Sequence, residues 1–312
     1  MASNAMKTRL ATAARIVGAL AVLALTFYFV DAKATFERLR TLDVGWLALG
    51  VFLSAVHYFV VALRWWHVAG ALDIPLRLWR AVADYFLGGF ANQALPTGLA
   101  GAALRVVRHA RRLRPNGEPV GAGAALTAVV LERLAGLAVL ALAALVGACV
   151  LVRTNPMLAL ISAGTVVGLA AVTLFVFSLA ARRSRLGRDG FASQARLVLF
   201  ANRAWLHHLV ISTCSVFLLC AGFYCAARAG HVDVSFARAL IVTPIILASM
   251  VIPLAIAGWG IREAAAAALF SAMGLDASMG VAVSVSFGLI GLVASLPGAL
   301  VWLAPERQPA GS

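Results

Sequence analysis

Three arginines, Arg105, Arg133 and Arg262, stand in otherwise apolar sequence. A guanidinium is a planar fork of donors that can grip phosphate oxygens two at a time, so an arginine at membrane depth is suited to holding a lipid phosphate. Three acids lie beside or near them, Asp84, Glu132 and Glu263, and would balance the cations when no anion is bound. Ionisable side chains are costly inside a bilayer and mark either binding paths or internal pairing. The same residues could therefore form an ion-pair network that only holds helices in place, and Asp84, near a helix entrance, could be a simple cap. Glu132 and Arg133 are adjacent, and adjacent helical positions do not face each other, so each is expected to meet other helices.

Two of the arginines belong to a stretch that occurs twice. Leu95-Pro96 leads to Gly101 and Arg105, and Ile252-Pro253 leads to Gly258 and Arg262, with glycine five and arginine nine residues after proline in both copies. Asn92 and Ser249 match at the same offset. Proline removes a helical hydrogen bond and glycine frees the backbone, so each copy reads as a broken helix. The turns are expected at Pro96, Gly98 and Gly101, and at Pro253, Gly258 and Gly260. Gly258-Trp259-Gly260 has neither the preceding strand nor the following lysine of a nucleotide loop.

The elements that carry these residues follow from composition. The chain has 312 residues, 62% hydrophobic and 12% charged, with a mean hydropathy of +0.95. Several apolar runs reach the ~20 residues that cross a bilayer, which makes this an all-α polytopic membrane protein. A net charge of +14 would suggest nucleic acid for a soluble protein, but here the arginines cluster between apolar runs, as in cytoplasmic loops that face anionic lipid. Cys149, Cys214, Cys220 and Cys225 form no CxxC pair and the histidines are scattered, so no metal, cofactor or catalytic constellation is expected.

Full spans are expected at about 10–30, 44–63, 120–152, 157–181, 204–227 and 280–303, with Arg64-Trp65-Trp66 as an interfacial anchor. The interval 182–203 reads as a basic cytoplasmic loop, with a surface helix at 191–200. Residues 81–104 have basic flanks on both sides. By the positive-inside rule both flanks lie on one face, and a re-entrant hairpin satisfies that. A second hairpin at 239–273 comes three crossings later and would enter from the opposite face. The expected fold is six full spans plus two re-entrant hairpins in an inverted repeat, or eight spans if both hairpins cross fully. Residues 1–5 look like a cloning remnant, 6–304 form one transmembrane domain, and 305–312 a short cytoplasmic tail.

These marks resemble the lysylphosphatidylglycerol synthase flippase-like transmembrane domain family. The resemblance rests on Leu95-Pro96 to Gly101 and Arg105, on Leu131-Glu132-Arg133-Leu134, and on Ile252-Pro253 to Gly258-Trp259-Gly260-Ile261-Arg262-Glu263-Ala264. It extends over most of the chain. The founding enzymes of that family carry a soluble domain that transfers an aminoacyl group, and no such domain is visible here. The resemblance therefore implies a lipid-translocating module and not an enzyme. The expectation is a flippase-like transporter of an anionic lipid, phospholipid or polyprenyl-phosphate, in the inner membrane with both termini cytoplasmic. Its partners would be membrane lipids and no nucleic acid, with an enzyme partner and self-association left open. The alternatives are the membrane subunit of a lipid-headgroup-modifying enzyme and a lipid-binding scaffold.

Overall fold

The computed structural model describes residues 37, 39–94, 100–114, 117–152, 163–164, 168, 190–250 and 260–303. Among these the regular structure is helical, apart from an isolated bridge between Leu113 and Pro119. The helices are α1 (Val44–Ala71), α2 (Leu78–Ala94), α3 (Ala100–Ala110), α4 (Gly121–Val152), α5 (Phe191–Phe200), α6 (Ala204–Ala229), α7 (Phe236–Ser249), α8 (Ile261–Ala272), α9 (Ala277–Ser295) and α10 (Pro297–Leu303). Four helical segments among the described residues are long and apolar enough to cross a bilayer: α1, α4, α9, and α6 together with most of α5.

Contacts at the helix ends fix which termini lie together. Arg112 donates to Pro75 O (3.0 Å) and Arg114 to Leu72 O (3.2 Å), so the end of α3 lies beside the turn between α1 and α2. The start of α4 comes directly after. This is the basic end of the bundle. At the other end, Asp43 N–H donates to Ala229 O (2.9 Å), joining the start of α1 to the end of α6. Helix starts there are sealed by short polar side chains, which accept the backbone N–H groups that a first turn leaves unpaired. Asp43 accepts from Gly45 and Trp46, Ser235 from Arg238, and Asp276 from Ser278.

Helices α2 and α3 run antiparallel as a hairpin that opens at the basic end. Gly88 and Gly101 meet at its crossing, where a Cβ on Gly101 would lie 2.6 Å from Gly88 Cα. Helices α7 and α8 form a second hairpin of opposite sense. The start of α7 packs on the end of α4, with Ile241 O against Gly147. Helix α8 runs antiparallel to α9, Glu263 meeting Ser284 and Ala266 meeting Gly280. Helix α9 in turn runs towards the basic end, past Gly50 at Ile290 and on to α10, whose Gly298 sits against Phe86. Two apolar cores match this division. One gathers Phe223, Ile245, Phe270 and Ile290; the other gathers Trp65, Ile74, Leu131 and Phe191 nearer the basic end.

Several boundaries differ from the sequence expectation. The 44–63 span continues to Ala71, so Arg64 and Trp65 lie inside α1 and are buried, and only Trp66 is exposed as an anchor would be. Arg105 and Arg108, expected at the start of a loop, lie inside α3, because they find carboxylates and aromatic rings within the bundle. The 280–303 span is divided into α9 and α10 at Leu296. The 191–200 helix is present, but Phe191 and Val198 are buried in the core, so it is docked on the bundle. The 10–30 span, most of 157–181, the loop 182–189, the tail 305–312, and the turn residues Pro96, Gly98, Pro253 and Gly258 lie outside the described residues.

Candidate functional site

Glu132 sits in the fourth turn of α4, completely buried. A lone carboxylate there would be heavily penalised, and two arginines compensate it. Arg64 of α1 donates to its Oε1 from Nε (2.8 Å) and Nη2 (2.6 Å), and Arg105 of α3 donates to its Oε2 from Nη1 (3.1 Å). The remaining Arg64 nitrogen, Nη1, donates to Ser212 Oγ of α6 at 3.0 Å. Three helices thus meet on one carboxylate, and α6 joins them through Arg64. Gly136, one turn beyond Glu132, leaves room for this, since a Cβ there would lie 2.7 Å from Arg64 Nη1. The Arg105 guanidinium lies over the rings of Tyr85 (4.3 Å) and Trp65 (5.2 Å), a second, cation–π form of support.

Arg133, the next residue along, is half-buried within electrostatic reach of Arg64, Arg105 and Tyr85. It makes no hydrogen bond or ion pair among the described residues. Among the described residues the cluster therefore holds three guanidinium groups against one carboxylate. Trp65 Nε1 and His109 Nδ1, both buried nearby, also lack hydrogen-bond partners among the described residues.

Asp84 is not a cap. It is 2% exposed and lies in the second turn of α2, where it faces the end of α3: Arg108 at 3.0 Å, His109 at 2.9 Å and Arg112 at 3.8 Å. This clamp closes the mouth of the first hairpin. Deeper in, Asn92 Oδ1 accepts the Gly101 N–H (2.9 Å), meeting one of the donors that the start of α3 leaves open.

The second copy of the repeat builds a different, smaller group. Gly260 has φ +91°, a conformation open to glycine, and its N–H donates to Glu263 Oε2 at 2.6 Å. Glu263 Oε1 accepts from Arg262 Nη2 (2.7 Å) and from Ser284 Oγ (3.0 Å), while Arg262 Nε donates to Ser284 Oγ (2.9 Å). Arg262 and Glu263 are both buried and their charges cancel. The expected adjacency rule is broken here. The two side chains reach each other because their polar ends converge on Ser284 of α9 at the first turn of α8.

The candidate residues thus fall into two groups, Arg105 and Arg133 around Glu132, and Arg262 with Glu263, with Asp84 in a clamp of its own. Arg64, Ser212, Tyr85 and Ser284 are additions that sequence reasoning did not single out. Among the described residues no group of three or more His, Cys, Asp or Glu side chains could hold a metal ion.

No curated protein matches this sequence. A family model described as the lysylphosphatidylglycerol synthase TM region matches residues 12–298, nearly the whole chain. With its apolar helices and their buried charges, the chain belongs to the lysylphosphatidylglycerol synthase transmembrane-region family, membrane-embedded multi-pass helical domains associated with lipid handling.

Proposed function

We propose that the protein is a transporter, not an enzyme, and passes an anionic lipid of phospholipid or polyprenyl-phosphate type across the inner membrane, flippase-fashion. The observation that carries this reading is the imbalance of the buried cluster, in which, among the described residues, Arg64, Arg105 and Arg133 face the single carboxylate of Glu132. A phosphate of one negative charge would find on Arg133 a guanidinium with no hydrogen bond or ion pair among the described residues, and would reduce the excess positive charge. Arg105, resting on two rings, keeps donors beyond the one that binds Glu132.

The two hairpins support the same reading. Each is built from helices of 11 to 17 residues, short of the ~20 that span a bilayer. In the proposed arrangement both are re-entrant, related as an inverted repeat, with the basic end and both termini cytoplasmic. Discontinuous helices of this kind place polar groups at mid-membrane while the remaining backbone stays hydrogen-bonded. A headgroup could then cross along the cluster while its tails remain in lipid.

The test is leaflet exchange in proteoliposomes, with labelled phosphatidylglycerol and polyprenyl phosphate beside labelled phosphatidylcholine. Exchange of an anionic lipid, lost in Arg105→Ala, is expected. Absence of exchange of every lipid by folded wild-type protein would refute a transport role and leave a scaffold or an enzyme's membrane subunit.

A further inference from the structure

A second feature suited to a lipid lies outside the central cluster, on the surface of α3. On α3 and the residue after it, Leu104, Val107, Arg108 and Arg111 stand at intervals of three, four and seven residues, which is one helix face. They line a groove of about 230 Å³ with Leu87 of α2 and Trp302 of α10. Val107 is 51% and Trp302 47% exposed, and Arg111 is exposed as well.

The face changes character along its length. Its deep half is apolar and its outer half, at the basic end, is cationic. Leu104 and Arg111 are separated by about 10 Å at 1.5 Å per residue, close to the distance from a phospholipid's phosphate to the upper part of its acyl chain. Helix α10 gives the groove its other wall, with Gly298 seated on Phe86 and the Trp302 ring against Phe90.

We infer that this groove is a docking site for one anionic phospholipid of the leaflet at the basic end. Its phosphate sits on Arg108 and Arg111, and one acyl chain lies along Leu104, Val107 and Trp302. Arg108 is already held by Asp84, which fixes its guanidinium at the mouth of the hairpin, so Arg111 is the adjustable member. Charge complementarity selects an anionic headgroup over a zwitterionic one. That the groove loads the central cluster rests on the translocation reading; the binding itself does not.

The experiment uses the full chain in phosphatidylcholine nanodiscs containing a tracer of phosphatidylglycerol with a photoactivatable group on its upper acyl chain. A second sample carries the same group on phosphatidylcholine. Peptides with Val107 and Trp302 are expected to be labelled about fivefold more by phosphatidylglycerol, the factor that one arginine gives near a membrane surface. Arg111→Glu should abolish the preference. Arg105→Ala should keep it while losing lipid exchange, so the groove and the transport reading fail separately. Equal labelling by the two lipids, or a preference untouched by Arg111→Glu, would overturn the inference. Labelling that appears only after truncation at Ala304 would give the groove to the chain's own tail and overturn it equally.

Discussion

Glu132 and Arg133 are neighbours with opposite structural duties. Removing the Glu132 charge strands Arg64 and Arg105 in the core, and breaking such a buried pair costs about 3–5 kcal/mol. Glu132→Gln is therefore expected to lower thermal stability sharply in detergent, whereas Arg133→Ala, which breaks no described bond, should leave it within about 1 kcal/mol of wild type. Equal losses would mean that Arg133 is part of the scaffold. Arg262→Ala is a poorer probe of transport, because it strands Glu263 and tests folding first. Arg105, Glu132 and Arg133 were visible in the sequence as charges in apolar runs. Arg64 was not, since an Arg-Trp-Trp run closing an apolar stretch has the composition of an interfacial anchor. The signal lay one helical turn further on, where Val68 and Ala69 continue the buried face of α1. Ser212 and Ser284 carry no signal at all, because serine is common in apolar helices and only tertiary contact gives it a partner.

Each hairpin depends on how closely its two helices approach. At the Gly88–Gly101 crossing a Cβ on Gly101 would meet backbone at 2.5–2.8 Å, with no flexible side chain to yield. Gly101→Val is expected to destabilise by about 1–3 kcal/mol through overpacking. Gly70→Ala, where nothing lies within 4 Å, serves as the control and should be near neutral by the same unfolding measurement. A neutral Gly101→Val would mean that α2 and α3 are not in contact there. The repeat itself was legible, but its two copies do not build the same object. Arg105 is the sixth residue of α3 and Arg262 the second of α8. Asn92 reaches across its hairpin to Gly101, whereas Ser249 donates to Ile246 O of its own helix. The side chains that each arginine meets come from other helices, Glu132 in one copy and Ser284 in the other.

The contacts of Arg112 and Arg114 with the α1–α2 turn put both basic flanks of 81–104 at one end of the whole bundle. Its topology can be tested in a cysteine-free background. Arg77→Cys and Glu118→Cys should react with an impermeant thiol reagent from one face, and Asp233→Cys and Ser271→Cys from the other. Arg77 and Glu118 reacting from opposite faces would make α2–α3 a full crossing and remove the hairpin. What the sequence could not supply was the pairing of these elements, because a uniformly apolar helix such as α4 shows no preferred face until its neighbours are known. The measurement that bears most directly on function is lipid exchange by Arg133→Ala. With an anionic lipid in proteoliposomes, the variant should fold as wild type and exchange about tenfold more slowly or worse, the loss expected when one charged hydrogen-bond donor to phosphate is removed. Exchange at the wild-type rate by this folded variant would contradict a lipid path through the arginine cluster.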